Sequence, residues 1–179
     1  NSSPSSSTVK TTMATKGSLL SLLSCLLLAT LACATIEEVC KKAADNFSIV
    51  DYEFCVSSLE AAPGGTTADK KGLAVIVANL SLAMAKDTLD KINEMIKSAS
   101  EETKGPLQLC QEDYNTVIEQ LKAAATDAEQ GNYDDAHKEF LMDESSMEQC
   151  KNVLEVYNAN NELYQLSYIG ASITSTGLN

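Results

Sequence analysis

The residues of this 179-residue chain that could do chemistry are few: six cysteines, one histidine and several paired carboxylates. Cys25 and Cys33 sit in an N-terminal apolar run, so Cys40, Cys55, Cys110 and Cys150 are left downstream. An even number of cysteines in a secreted chain points to two disulfides, for which three pairings exist. Their spacing lacks the close pairs of a zinc site. His137 stands alone, which rules out a multi-histidine metal site, and it lies one residue past the apolar seat Ala136, as a surface or boundary residue would. No Gly-x-Ser-x-Gly elbow, glycine-rich phosphate loop or calcium loop is present. The acidic pairs Glu101-Glu102, Asp134-Asp135 and Asp143-Glu144 are adjacent in sequence. Neighbouring side chains on a helix diverge by about 100°, so these carboxylates read as solvated helix faces rather than converging catalytic pairs. The expectation is a protein that is not an enzyme and takes no cofactor and no metal.

Two further motifs are the N-glycosylation sequons Asn46-Phe47-Ser48 and Asn79-Leu80-Ser81. They matter only if the chain is secreted, and its N-terminus reads that way. Met13 and Lys16 precede a leucine-rich run from Ser18 to Leu31, and Ala32-Cys33-Ala34 has the small residues of a cleavage site. The run is too short, and too soon followed by Glu37 and Glu38, for a membrane anchor. Residues 1–12 are read as upstream sequence outside the fold, 13–34 as a signal peptide and 35–179 as one extracellular domain. Downstream of residue 34, 11 lysines and no arginine face 25 acids, a formal charge of −14. That surface disfavours nucleic acid, anionic membranes and acidic polysaccharides, and attracts a basic protein.

These residues need elements to hold them, and the apolar pattern supplies helices. Val75, Ala78, Leu82, Ala85, Leu89 and Ile92 step alternately by three and four. Leu107, Cys110, Tyr114, Val117 and Leu121 do the same. A third stripe runs through Tyr133, Ala136, Phe140, Met147, Cys150, Leu154 and Tyr157, with Asp143 as its polar intruder. A weaker fourth runs through Ala159, Leu163, Leu166, Gly170 and Ile173. Thr66 with Asp69 resembles a helix start, Pro106 an early helical position, Gly131 a helix end, and Asn132 with Asp135 a new start. Short connections make neighbours antiparallel, so the expected fold is all-α: an up-down-up-down four-helix bundle over 66–179. Before it, Ile36–Ala44 and Asp51–Leu59 form a helical hairpin within 35–61, set off by Ala62-Pro63-Gly64-Gly65.

Cys110 lies 21 residues before Gly131 and Cys150 lies 19 after it. At ~1.5 Å per residue, antiparallel helices bring the two to nearly one height, on core-facing seats. Cys110–Cys150 is then the natural bridge, and Cys40–Cys55 closes the hairpin.

Taken together, these residues resemble the plant invertase and pectin methylesterase inhibitor family, over essentially all of 35–179. The resemblance rests on Cys40 and Cys55 with fourteen residues between them, then Leu59 and the alanine- and leucine-rich helix from Ala68. It continues with Gly105-Pro106-Leu107 running into Cys110 and Tyr114, then Gly131-Asn132-Tyr133 with Ala136, and Cys150. Cys40-Lys41-Lys42, Tyr52-Glu53-Phe54-Cys55-Val56 and Thr67-Ala68-Asp69 look closest to the pollen-allergen branch, whose members are called invertase inhibitors. The resemblance implies the same two bridges and a secreted inhibitor that blocks the cleft of a pectin methylesterase or an acid invertase in a stoichiometric complex. Invertase inhibitors of the family carry Pro-Lys-Phe just after the turn into the third helix. Counted back from Cys150, Tyr133, Asp134 and Asp135 stand there, and Tyr133 with Ala136 is nearer the pectin methylesterase inhibitor pattern. The expected partner-binding residues are Tyr133, Asp134, Asp135 and Lys138. The alternative is a non-inhibitory member kept as a structural protein or pollen allergen. A small-ligand carrier fits poorly, because Leu, Ile and Ala fill the stripes.

Overall fold

The computed structural model describes residues 35–141, 150 and 154–175. The expected signal segment, the Asp143-Glu144 pair and Met147 lie outside the described residues. Thr35 starts the first helix, α1 (Ile36–Asn46), with a reciprocal cap: the Thr35 hydroxyl accepts from the Glu38 amide at 3.3 Å and the Glu38 carboxylate accepts from the Thr35 amide at 3.1 Å. Asp51 caps α2 (Tyr52–Ala61), its Oδ1 accepting from the Phe54 amide at 2.8 Å. Cys40 and Cys55 join the two arms with their Cα atoms 5.6 Å apart. The turn that follows needs both its glycines. Gly64 has φ 80°, and a Cβ on buried Gly65 would stand 1.8 Å from the Leu59 carbonyl oxygen. What reads as a linker is a tight turn packed on α2.

Four elements follow: α3 (Lys70–Ser98), α4 (Glu101–Gln130), α5 (Tyr133–Phe140) and α6 (Leu154–Thr174). They pack in a ring, α3 on α4, α4 on α5, α5 on α6 and α6 back on α3, as an up-down-up-down bundle requires. Leu73, Val77, Ile92, Tyr114, Leu121, Phe140, Leu163 and Ile169 are fully buried in one core with the hairpin's Val39, Cys40, Cys55 and Leu59. Length and composition would let α3 cross a membrane, yet its apolar stripe is the centre of this core. Cys110 and Cys150 are bridged with Cα atoms 5.0 Å apart. Polar and ring contacts help dock the hairpin on α6. The Asp51 amide donates to Gln165 Oε1 at 2.9 Å, Lys42 Nζ donates to Ser175 Oγ at 3.2 Å, and the Phe47 and Tyr168 rings lie 4.8 Å apart.

Three boundaries differ from the expectation. The cap of α3 is Asp69, whose Oδ1 accepts from the Gly72 amide at 2.8 Å, while Thr66 belongs to a short 3-10 turn, Gly65–Thr67. The glycine turn takes up the residues that a helix starting at Thr66 would need. Helix α4 begins at Glu101, so Pro106 lies inside it; the ring is exposed and gives up one hydrogen bond near the helix start. The third stripe is divided. Leu141 leaves helical geometry with ψ 70°, so α5 stops at Phe140, and Leu154 and Tyr157 fall within the span of α6.

A few polar groups are built into the core. The buried Tyr114 hydroxyl donates to Asn160 Oδ1, and burial, foremost, holds the phenol above its ordinary range, so it stays a neutral donor. Gly170 lets α5 and α6 approach closely: a Cβ there would stand 2.4 Å from Phe140 Cε1. Gly170→Ala should therefore cost about 1–3 kcal/mol by overpacking, read in denaturant unfolding; a wild-type midpoint would disprove the notch. Asp113 is the second test. Its Oδ2 is buried without a partner, and burial first, then the charge of Glu112, hold the carboxyl above its ordinary value. The folded state thus takes up this proton at a higher pH than the unfolded chain does. The group opposes folding at neutral pH, and that penalty fades as pH falls through the raised value. Asp113→Asn should raise Tm at pH 7, with an advantage over wild type that shrinks towards pH 4; a constant difference would contradict this.

Candidate partner-binding surface

The expected contact residues all lie on α5, an eight-residue helix that few local forces support. Gly131 ends α4 with φ 80°, and the Asn132 amide still reaches the Asp127 carbonyl at 2.8 Å, so the chain reverses within two residues. Asn132 holds the N-cap position without a side-chain capping bond; its Nδ2 turns back to Asp127 Oδ1 at 3.3 Å and Gln130 Oε1 at 3.2 Å. The expected pairing of Asn132 with Asp135 is therefore not made. Tertiary contacts fix α5 instead. Ala136 and Phe140 are fully buried, and Phe140 fills the Gly170 notch. His137 is half-buried and donates from Nδ1 to the Ala171 carbonyl at 2.7 Å. The lone histidine is thus a boundary residue that clips α5 to α6, as the sequence reading has it.

With one face held, the other is offered to solvent. Asp134, Asp135 and Lys138 are exposed, and Tyr133 is half-buried at the helix start. Two acids in the first turn oppose the positive end of the helix dipole, so they stabilise the element whether or not they meet a partner. Lys138 Nζ pairs with Asp135 Oδ1 at 2.7 Å, and the hydrogen bond to Asp135, ahead of its charge, raises the lysine pKa. Gly131, Asn132, Tyr133, Asp134 and Asp135 line an open depression of about 400 Å³. The four expected residues therefore share one short, exposed, net-acidic surface.

One participant comes from far away in sequence. Lys70, at the start of α3, places Nζ 4.9 Å from the centre of the Tyr133 ring. Its pKa is lowered, first by burial and then by the nearby charge of Lys42. No local signal marks Lys70, since the two residues meet only when α3 and α5 close at one end of the bundle. The expected glycosylation residues lie elsewhere: Asn46 is exposed at the end of α1, and Asn79 is exposed midway along α3. Among the described residues no group of three or more His, Cys, Asp or Glu is placed to hold a metal.

Comparison with known proteins places the chain among relatives of the same fold. The family profile described as "Plant invertase/pectin methylesterase inhibitor" matches residues 34–173. "Cell wall / vacuolar inhibitor of fructosidase 2" of Arabidopsis thaliana is 32% identical over 120 residues, which cover 66% of this chain and 63% of that protein. "Pectinesterase inhibitor 8" of Oryza sativa subsp. japonica is 32% identical over 101 residues, 56% of this chain and 55% of that protein. The match thus spans less than two thirds of either relative. A crystal structure of a mutant form of an Arabidopsis pectin methylesterase inhibitor aligns over 80% of this chain and 97% of its own, with TM-score 0.63 and 18% identity, a likeness of fold.

If tertiary anchors rather than surface charge hold α5, the two kinds of residue should differ sharply. Phe140→Ala should cost about 3–5 kcal/mol in unfolding free energy, while Lys138→Ala should leave Tm unchanged. Equal effects on Tm would refute that division.

Proposed function

The chain belongs to the plant invertase/pectin methylesterase inhibitor family, whose members are inhibitor proteins rather than catalytic enzymes. On that premise we propose that this protein is itself an inhibitor of a secreted carbohydrate-acting enzyme, pectin methylesterase or acid invertase. It acts outside the cell, in the apoplast or cell wall, by occluding the enzyme's cleft in a stoichiometric complex. The observation that carries the reading is the exposed start of α5, held rigidly by its buried face. Two disulfides and a packed core mean that little ordering entropy opposes docking.

The chemistry of the surface favours a basic target. The −14 charge downstream of residue 34 steers a cationic enzyme towards the bundle, and Asp134 with Asp135 faces outward at the α5 start. Tyr133 supplies an amphipathic ring beside them. Nucleic acid and membrane are not partners in this reading. A pectin methylesterase with a basic surface fits best. Invertase is kept as a second target because the Arabidopsis relative is named an inhibitor of fructosidase.

The test is to titrate plant pectin methylesterase and plant acid invertase, side by side at mildly acidic pH, with the oxidised protein. One of the two should be inhibited at a one-to-one ratio. The double variant Asp134→Lys, Asp135→Lys should weaken inhibition of a basic target by roughly tenfold or more, chiefly through slower association. Undiminished inhibition would remove this patch from the interface. Failure to inhibit several isoforms of either enzyme would leave the non-inhibitory structural or allergenic role.

A further inference from the structure

The sequon Asn79-Leu80-Ser81 lies midway along α3, and its two functional ends meet opposite environments. Asn79 is exposed, whereas Ser81 is fully buried with no hydrogen-bond partner for Oγ. A helical serine or threonine usually returns its hydroxyl to a carbonyl one turn back. Thr88 of the same helix does so, bonding the Met84 carbonyl at 2.9 Å, but Ser81 does not. A buried, unpaired hydroxyl works against the folded state. Alanine fills the neighbouring core seats Ala74, Ala78 and Ala85, and would fit here without that penalty.

The hydroxyl of Ser81 thus contributes nothing to the core that holds it, and its use lies before that core forms. N-linked glycosylation needs the third-position hydroxyl of an Asn-x-Ser segment, and it reads that segment while the chain is still extended. We propose that Asn79 carries an N-linked glycan, attached before α3 packs, whose first sugar rests on an apolar shelf beside it. Ala62, Pro63, Ile76 and Leu80 line that shelf, a cavity of about 250 Å³ with Asn79 on its rim. The apolar C–H face of an N-acetylglucosamine residue suits such a lining. At ~1.5 Å per residue the attachment point stands roughly 14 Å along α3 from Lys70, which leaves the start of α5 clear. The inference rests on the secretion that the proposed function includes.

Expression of the full chain in plant cells, with recovery from the medium and glycopeptide mass spectrometry, tests it. Asn79 should be occupied in the wild type and in Ser81→Thr, and bare in Ser81→Ala. After enzymatic removal of glycans, Ser81→Ala should melt at or up to roughly 4 °C above the wild type. A secreted chain that is bare at Asn79 overturns the inference and leaves secretion standing; Asn46 serves as the internal comparison. A retained, unmodified chain overturns both. A lower Tm for Ser81→Ala would show that the hydroxyl serves the folded core, and would overturn the inference.

Discussion

Phe140 seats its ring in a notch that exists because residue 170 has no side chain. The rest of the exposed chemistry depends on that contact. Helix α5 has eight residues, too few to persist alone, and its N-cap residue spends its side chain on the preceding turn. With Phe140 and Ala136 buried and His137 clipped to the Ala171 carbonyl, the opposite face has only one way to point. Tyr133, Asp134, Asp135 and Lys138 are therefore presented by packing. The tight reversal at Gly131 sets where α5 begins, and the Cys110–Cys150 bridge ties α4 to the chain that continues beyond it.

Much of this was readable in the residues, because burial imposes a period that composition cannot hide. The stripes through Val75 to Ile92 and Leu107 to Leu121 marked α3 and α4, and Gly131 marked the turn through its left-handed backbone. Cys110–Cys150 follows from helix rise and antiparallel packing, which leaves Cys40–Cys55 to close the hairpin. The misplaced boundaries have a common cause. Thr66 with Asp69 is a valid local start signal, but the glycine turn ahead of it takes the residues that start would need. Pro106 suits an early position, and nothing local shows that five residues precede it in the same helix. The third stripe keeps its beat past Phe140 in sequence, yet the backbone leaves helical geometry at Leu141. Lys70 over Tyr133 was unreadable in principle, since the pair exists only in the closed bundle.

The charge distribution separates support from recognition. Lys41, Lys97, Lys122 and Lys138 each pair with an acid three or four residues away on the same helix. Such exposed local pairs contribute little to stability. They do shorten the list of groups that stand ready for a partner. Tyr133 is followed in sequence by two acids and meets a partly desolvated ammonium at its ring, so the surface is patterned within an acidic whole. The hairpin adds rigidity to the same framework: its ties run to α6, the helix that also receives Phe140.

The hydrogen bond between Tyr114 and Asn160 has a consequence of another kind. The chain has six tyrosines and no tryptophan, so phenols dominate its near-ultraviolet absorption and emission. Tyr114 is buried in the closed core, where solvent cannot ionise it without opening the helices around it. The protein thus carries its own optical reporter of bundle closure, with no label and no indole to drown the signal.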